Sequence, residues 1–255
     1  MSRANLSQRA QRWLAQRLHR KIIRLDRPTG VVSFSFDDAP QSACIAGAKT
    51  LEAHNCRGTW YVAGGLTDQF ELGMACHSMA DLRQLKANGH HIACHTYSHQ
   101  PCILRSRAQL LDDFKRNRDF LIQNHLAQEP LHFSFPLGAF DIQSKRLAGE
   151  TYASCRITGG GIQHKVTDLN GLRSERLYET AIDRNQIETL VKKTAANKGW
   201  LIFYTHDVSD TPRPFGCSPG LLDSAIEAAL EAGCLVLPVN EALQYWQGRD
   251  TFANT

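Results

Sequence analysis

No stretch of eighteen consecutive apolar residues occurs in this 255-residue chain, which excludes an apolar helix of membrane-spanning length. Nor does the N-terminus offer a continuous apolar segment and a small-residue cleavage site. An export signal is therefore not expected, and the cytoplasm is the expected compartment. The eight cysteines (44, 56, 76, 94, 102, 155, 217 and 234) include no Cys-x-x-Cys pair. That argues against a cysteine-ligated zinc site, and in a reducing compartment these residues are expected as free thiols. Internal repeats and low-complexity tracts are absent. No basic stripe or aromatic motif marks the main body of the chain, so no nucleic-acid partner is expected. What remains is an ordinary globular composition, 42% apolar and 21% charged. It suffices for one large α/β barrel or two small domains with a sizeable core.

Charge is unevenly placed. The formal net charge is +4, yet residues 1–27 hold eight Lys/Arg and a single acidic residue, Asp26. The remainder holds 21 Lys/Arg against 24 Asp/Glu, a net of −3. Within the basic head, Leu6, Ala10, Leu14, Leu18 and Ile22 recur at four-residue spacing, with Trp13 and Leu25 beside them. This predicts one amphipathic helix over residues 5–25. Arg9, Arg12, Arg17, Arg20, Lys21 and Arg24 cover its other side. Such a helix either docks on the following domain with a solvated basic face or lies on an anionic membrane surface as a peripheral contact. Arg27-Pro28-Thr29-Gly30 then breaks the chain. The expected division is a basic amphipathic helix at 1–27 and a single domain at 28–255.

From Val31 onward, apolar β-rich runs alternate with helical patterns. Strands are predicted near 31–36, 58–62, 90–95, 131–135, 153–157, 200–205 and 234–239. Helices are predicted near 41–55, 79–88, 106–126, 143–150, 184–197 and 219–232. Alternation of this kind means a parallel sheet, open or closed into a barrel. Gly89, Gly149, Gly199 and Gly233 each precede a predicted strand, where glycine is the usual left-handed helix stop. The Gly-rich stretch 158–175 reads as a long loop with an irregular strand, and the tail 247–255 reads as frayed.

Two segments carry the chemistry. Phe36-Asp37-Asp38 follows the run Val31 to Phe36, and His95-Thr96-Tyr97-Ser98-His99 follows His91 to Cys94. In a parallel α/β fold the polar residues just past strand ends gather at one mouth. Two carboxylates and two imidazoles then meet there. One Asp with two His is a divalent-metal ligand set that leaves room for water, and the other Asp is free to act as a base. The bland alternatives are an Asp pair capping the next helix and buried, hydrogen-bonded histidines at His99 or His90. His54, His77, His125, His132 and His164 lack this context and read as structural.

In these segments the chain resembles the polysaccharide deacetylase family, the NodB-homology fold of carbohydrate esterase family 4. The Phe-Asp-Asp motif stands at 36–38. The His-Thr/Ser-x-x-His motif stands at 95–99, preceded by Gly89-His90-His91-Ile92 where the family has Gly-His-Glu-Ile. An apolar strand runs into His as Phe203-Tyr204-Thr205-His206, with Tyr204 where Leu is usual. The match extends from about Val31 to Leu243. The resemblance implies a distorted (β/α) barrel. It implies Asp38, His95 and His99 as ligands of one divalent ion, zinc or a similar metal such as cobalt. Asp37 becomes the general base, His206 the general acid, and the backbone N–H of Leu137 an oxyanion donor. The third motif departs from the pattern: Arg-x-Pro-aromatic-Gly is replaced by Ser134-Phe135-Pro136-Leu137-Gly138. The arginine expected beside Asp37 is therefore missing from its place. Arg156 is the candidate substitute, with a plain surface arginine as the alternative. The Asp-Trp fourth motif is not recognisable, which leaves the partner of His206 unassigned, with Asp207 adjacent in sequence.

The resemblance implies removal of an N-acetyl group from an N-acetylated sugar, and the expected cytoplasmic location, with the basic head, makes a precursor of a surface polysaccharide the expected substrate. Arg213 and Phe215, in the loop after His206, are expected to offer a phosphate contact and a stacking surface. The rival readings are an amide hydrolase acting on a non-sugar substrate and a catalytically silent sugar-binding or assembly protein with the same fold.

Overall fold

The computed structural model describes residues 13–71 and 73–249. Its strands are β1 (Ile22–Arg24), β2 (Val31–Asp37), β3 (Thr59–Val62), β4 (Phe70–Glu71), β5 (Met74–Ala75), β6 (His91–Cys94), β7 (His132–Ser134), β8 (Ser154–Thr158), β9 (Val166–Asp168), β10 (Leu172–Arg176), β11 (Trp200–Thr205) and β12 (Leu235–Val236). The α-helices are α1 (Ala48–Ala53, entered through a π turn at Ala43–Gly47), α2 (Met79–Ala87), α3 (Arg107–Gln123), α4 (Ile142–Thr151), α5 (Arg184–Asn197), α6 (Pro219–Glu231) and α7 (Val239–Trp246).

Seven parallel strands close a barrel in the order β2, β3, β6, β7, β8, β10, β11, with β11 pairing back onto β2. The barrel is distorted because β3 and β12 share one edge of β2. β12 takes Val31 and Val32, and β3 takes Ser35 to Asp37. Helices surround the strands, as βαβ connectivity requires.

The interior explains the sequence of β2, in which all seven residues are buried. Val32, Phe34 and Phe36 join the main apolar core beneath the helices. Strand alternation turns Ser33, Ser35 and Asp37 the other way, into the barrel. The other strands add Ser134, Ser154, Arg156 and Ser174, all buried. Small polar side chains thus line the interior, and they are hydrogen-bonded. Trp200 Nε1 donates to Ser33 Oγ at 2.9 Å, and Ser35 Oγ donates to the Phe203 carbonyl at 2.8 Å. A second apolar cluster closes the strands' N-terminal end, where Val31, Leu172, Trp200 and Ile202 pack with Val239, Leu243, Tyr245 and Trp246 of α7.

Several expectations need correction. The helix predicted over 5–25 does not reach Leu25; its first residues, 5–12, lie outside the described residues. Residues 13–15 are helical, but the chain then turns and Ile22–Arg24 forms β1, antiparallel to β9. The barrel captures the carbonyls that a continuing helix would use. Lys145 Nζ donates to the carbonyls of Gln16 and Leu18, at 3.4 and 3.0 Å, and Asn170 Nδ2 donates to that of His19 at 2.8 Å. The strand predicted at 234–239 shrinks to two residues, because Pro238 caps α7, which the sequence reading missed. Gly89 and Gly233 take the positive φ expected of helix stops. Gly149 does not: it lies inside α4, against the Asn170 side chain. Gly199 leaves the left-handed cap to Lys198. The stretch 158–175 holds two strands, β9 and most of β10.

Candidate active site and metal centre

Strand alternation would send Asp37 and Asp38 to opposite faces. The backbone prevents this by entering the left-handed region at Asp38 (φ 63) and Ala39 (φ 51). Such residues cost on the order of 1–3 kcal/mol each and persist only where the surroundings enforce them. His77 enforces this turn. It is fully buried, and its Nδ1 donates to the carbonyls of Asp38 and Ala39 at 3.1 and 3.2 Å. The His95–His99 segment is held in the same way, with positive φ at Thr96 and His99. Asp113 of α3, itself buried, accepts the backbone N–H groups of Tyr97 and Ser98, both at 2.9 Å. It also accepts Ser98 Oγ at 2.6 Å and Arg105 Nη1 at 2.5 Å.

These turns bring Asp38, His95 and His99 together, with one ligand atom from each within 4.8 Å of the others. All three are buried. His99 Nε2 stands 2.8 Å from Asp38 Oδ1, and His95 Nε2 stands 3.3 Å from the same oxygen. The outer nitrogens fix the tautomers. His95 Nδ1 donates to the Ser134 carbonyl at 2.8 Å, and His99 Nδ1 donates to Glu71 Oε1 at 2.9 Å. Neutral rings held this way aim their Nε2 lone pairs at Asp38. With both rings neutral, Asp38 Oδ1 is buried and receives no hydrogen bond. Three electron-rich atoms converging in a buried pocket repel one another unless a cation lies between them, so the residues fit a divalent ion.

In the ion-free pocket a proton takes that role. Burial opposes charge on His99, but hydrogen bonding and charge from Asp38, with Glu71 behind, raise its pKa to about 9. Burial likewise opposes charge on Asp38, and the imidazoles outweigh it and hold the carboxyl well below its ordinary range.

Asp37 points into the barrel and meets Arg156. Arg156 Nη2 lies 2.6 and 2.5 Å from the two Asp37 carboxylate oxygens. The same nitrogen reaches Ser134 Oγ at 2.5 Å, and Nη1 reaches Ser174 Oγ at 2.6 Å. The guanidinium lies over the rings of Tyr61 and Tyr204, 5.1 and 4.7 Å from their centroids. It is 1% exposed. Burial works against its charge, and Asp37 more than compensates. Arg156 thus stands beside Asp37 as expected, and the surface alternative fails. Ser134 and Arg156 are register partners on neighbouring strands, so the guanidinium enters from β8 rather than β7.

His206 follows β11. Its Nε2 lies 3.9 Å from Asp38 Oδ2, and its Nδ1 donates to the Phe215 carbonyl at 3.2 Å. That carbonyl orients the ring. Asp207 does not: its carboxylate accepts Ser42 Oγ at 2.6 Å, the Arg213 N–H at 3.0 Å and Ser209 Oγ at 3.2 Å. Arg213 reaches the β4–β5 hairpin that carries Glu71. Its Nη2 donates to the Gly73 carbonyl at 2.9 Å and ties the loop after β11 to the β4–β5 hairpin. Phe215 lies beside His206, with ring centroids 5.9 Å apart, and is 54% exposed. Leu137 takes φ 56 in the short turn after β7 and exposes its side chain.

Sequence reasoning missed Glu71, His77 and Asp113. Glu71 carried no motif, because its role depends on a hairpin folding over the mouth. The other histidines read as structural are so where a partner is seen: His54 pairs with Asp223 at 2.7 Å, and His132 with Ser154 Oγ at 2.9 Å. His90, weighed as a buried alternative, is one, bonded to Glu52 at 2.9 Å.

The closed parallel barrel thus carries, at the C-terminal ends of its strands, an Asp-His-His cluster able to hold a metal ion. The chain belongs to the polysaccharide deacetylase family, whose profile matches residues 24–153. No curated protein matches the sequence. The fold is similar to that of the chitin deacetylase from the fungal pathogen Colletotrichum lindemuthianum, at 17% identity over 91% of this chain and 92% of that one, TM-score 0.60. It is similar to the Xyl-CE4 domain of a multidomain xylanase from the hindgut metagenome of Trinervitermes trinervoides, at 14% identity over 86% and 92%, TM-score 0.60. The family 4 acetyl xylan esterase from Clostridium thermocellum, solved with a cobalt ion, is 19% identical over 86% and 92%, TM-score 0.57.

Two predictions follow from this geometry. His95→Ala and His99→Ala should each abolish stoichiometric binding of zinc or cobalt, and Glu71→Gln should weaken it about 10–100-fold by freeing the His99 ring. A proton on His99 competes with the ion below pH about 9. Affinity should therefore fall as pH falls, with about one proton released per ion at neutral pH. Calorimetry in buffers of different ionisation enthalpy measures this, and tight binding by the double His variant would refute the site.

The second concerns the guanidinium. Arg156→Ser strands Asp37 without its counter-charge and should cost about 3–5 kcal/mol in urea unfolding. Ser134→Arg added to that variant should recover part of the loss, because the two side chains already touch. A double variant no more stable than the single one would show that position 134 cannot host the charge.

Proposed function

We propose that this chain is a metal-dependent N-deacetylase acting on an N-acetylated sugar, a precursor of a surface polysaccharide, on the cytoplasmic side. One observation carries the chemistry. Asp38, His95 and His99 present three converging lone-pair atoms, with the Asp37 carboxylate at the end of β2 and the His206 imidazole just past β11. Zinc or cobalt suits this nitrogen–oxygen donor set and, when bound, supplies Lewis acidity to a carbonyl and acidifies a water.

This chain's own groups do the rest. Asp37, positioned by Arg156, takes the proton from the water whose oxygen bonds to the acetamide carbon. The Leu137 N–H is the donor for the carbonyl oxygen as it gains charge. His206, turned by the Phe215 carbonyl, presents Nε2 and gives a proton to the departing nitrogen as the C–N bond breaks. Acetate and the free amine leave. The exposed Phe215 ring and Leu137 side chain offer apolar surface for a sugar face at the mouth. The presence of both Asp37 and His206, with Arg156 in place, weighs against a catalytically silent relative. An amide hydrolase of non-sugar substrates remains the rival, which a substrate panel separates.

All eight cysteines are free thiols, in keeping with a reducing compartment. A peripheral membrane contact is supported by Trp13, Leu14, Leu18, Ile22 and Val166. These are five of the eleven large apolar side chains exposed among the described residues. They interleave with exposed Arg17, Arg20, Arg24 and Lys165, the composition of a surface that meets anionic lipid.

Acetate release from N-acetyl sugars tests the chemistry. Asp37→Asn and His206→Ala should retain the metal and lose on the order of 10²–10⁴-fold in turnover. Near-parental rates in either variant would refute the assigned acid or base. For the membrane contact, replacing Trp13, Leu18 and Ile22 together by Ser should reduce co-sedimentation with anionic vesicles. The parental binding should itself weaken as salt rises. Equal sedimentation of parent and variant would remove the contact and leave the deacetylase untouched.

A further inference from the structure

One cavity is not at the mouth. It lies at the opposite end of the barrel and has a volume of about 690 Å³. His91, the first residue of β6, and His132, the first of β7, line it, and Asn240 of α7 lines it with an amide oxygen that is buried and has no hydrogen-bond partner. Three cations also line it: Lys21, Lys86 and Arg249. Among the described residues none of them forms an ion pair, and Lys21 Nζ has only a long contact, 3.4 Å, to the Ala153 carbonyl. The one carboxylate on the lining, Glu129, is already bonded to Arg118 and the Leu131 N–H.

The positive field is felt inside. Burial lowers the pKa of His132 to about 4, with Lys21 adding to the effect. Burial likewise keeps His91 well below its ordinary value, with His132 and Lys86 adding. Both rings are therefore neutral at physiological pH and serve as hydrogen-bonding groups. A divalent cation is disfavoured here by three positive side chains. A polymeric anion is disfavoured by enclosure, since the volume is that of a small-molecule site.

We propose that this cavity is a binding site for a small phosphate-bearing molecule, separate from the catalytic mouth. Lys21, Lys86 and Arg249 would supply the charge, with Arg249 able to hold two oxygens at once. The neutral imidazoles and the Asn240 amide would contact the non-ionic part of the ligand. The site requires nothing of the deacetylase chemistry, so the two readings stand or fall separately.

The test is a titration with inorganic phosphate at low salt, followed by calorimetry. It is run on the zinc-loaded parent, on His95→Ala, and on the double variant Lys86→Ala/Arg249→Ala. Both replaced cavity residues are exposed, so the fold is not at risk. The expected result is saturable binding, with a Kd on the order of 1 mM or tighter, in the parent and in His95→Ala alike. A loss of about tenfold or more is expected in the cavity variant. Three results would overturn the proposal: no saturable binding, binding that survives in the cavity variant, or binding that disappears in His95→Ala, which would place the phosphate at the catalytic mouth.

Discussion

The buried pair of Arg156 and Asp37 is the interaction around which the barrel interior is organised. A guanidinium 1% exposed cannot stand among apolar side chains without a heavy desolvation penalty. It needs a carboxylate, further acceptors and polarisable faces, and the neighbouring strands provide all three. Asp37 supplies the charge, Ser134 and Ser174 accept hydrogen bonds, and Tyr61 and Tyr204 offer ring faces. This is why β7 and β10 carry serine where a barrel interior of this size would otherwise take branched apolar residues. The same pair serves Asp37 in its proposed role, since the guanidinium fixes where the carboxylate stands.

The pocket beside it follows a different logic. Asp37 is satisfied by its partner, whereas Asp38 is left unsatisfied by the two imidazoles that face it. The protein holds that frustrated arrangement by rigid supports. His77 locks the left-handed turn at Asp38 and Ala39, and Asp113 clamps the loop that carries His99. Ser134 and Glu71 fix which nitrogen of each imidazole faces inward. Strain of this kind is sustained only by a packed surround. The supports come from four separate parts of the chain, so the site exists only once the barrel has closed.

Much of this was legible in the sequence, for physical reasons that can be named. Strands β2, β3, β6 and β11 are short apolar runs bounded by breakers, and their polar successors collect at one mouth whatever the loops do. That rule brought the Asp37-Asp38 pair, His95 and His99 together, and the resemblance to the family chose Asp38 over Asp37 as the ligand. Arg156 was half legible: a cation was needed near Asp37, and an arginine stood on a predicted strand. Glu71, His77 and Asp113 were illegible because each acts from a loop or helix through a contact that no local pattern encodes. The N-terminal segment misled for the opposite reason. Its four-residue periodicity is real, but Lys145 and Asn170 offer its carbonyls better partners than its own backbone does, and Ile22 and Ile23 then find a strand edge at β9. Gly149 misled in the same way, since its smallness serves close packing against Asn170 and not a helix stop.

The displaced arginine bears on how such a site is read. Position 134 and position 156 are opposite each other in register, and a guanidinium rooted at either can reach the carboxylate at the end of β2. What the chemistry requires is a positive charge at one point in the barrel, not an arginine at one point in the chain. Judged by motif, the serine at 134 looks like a lost catalytic feature and favours a silent protein. Judged by geometry, nothing is lost, because Arg156 makes the contact and Ser134 has become one of its acceptors. The small residue on β7 and the large one on β8 are two halves of a single arrangement: a longer side chain at 134 would collide with the guanidinium that replaced it, and a shorter one at 156 would leave Asp37 buried and alone.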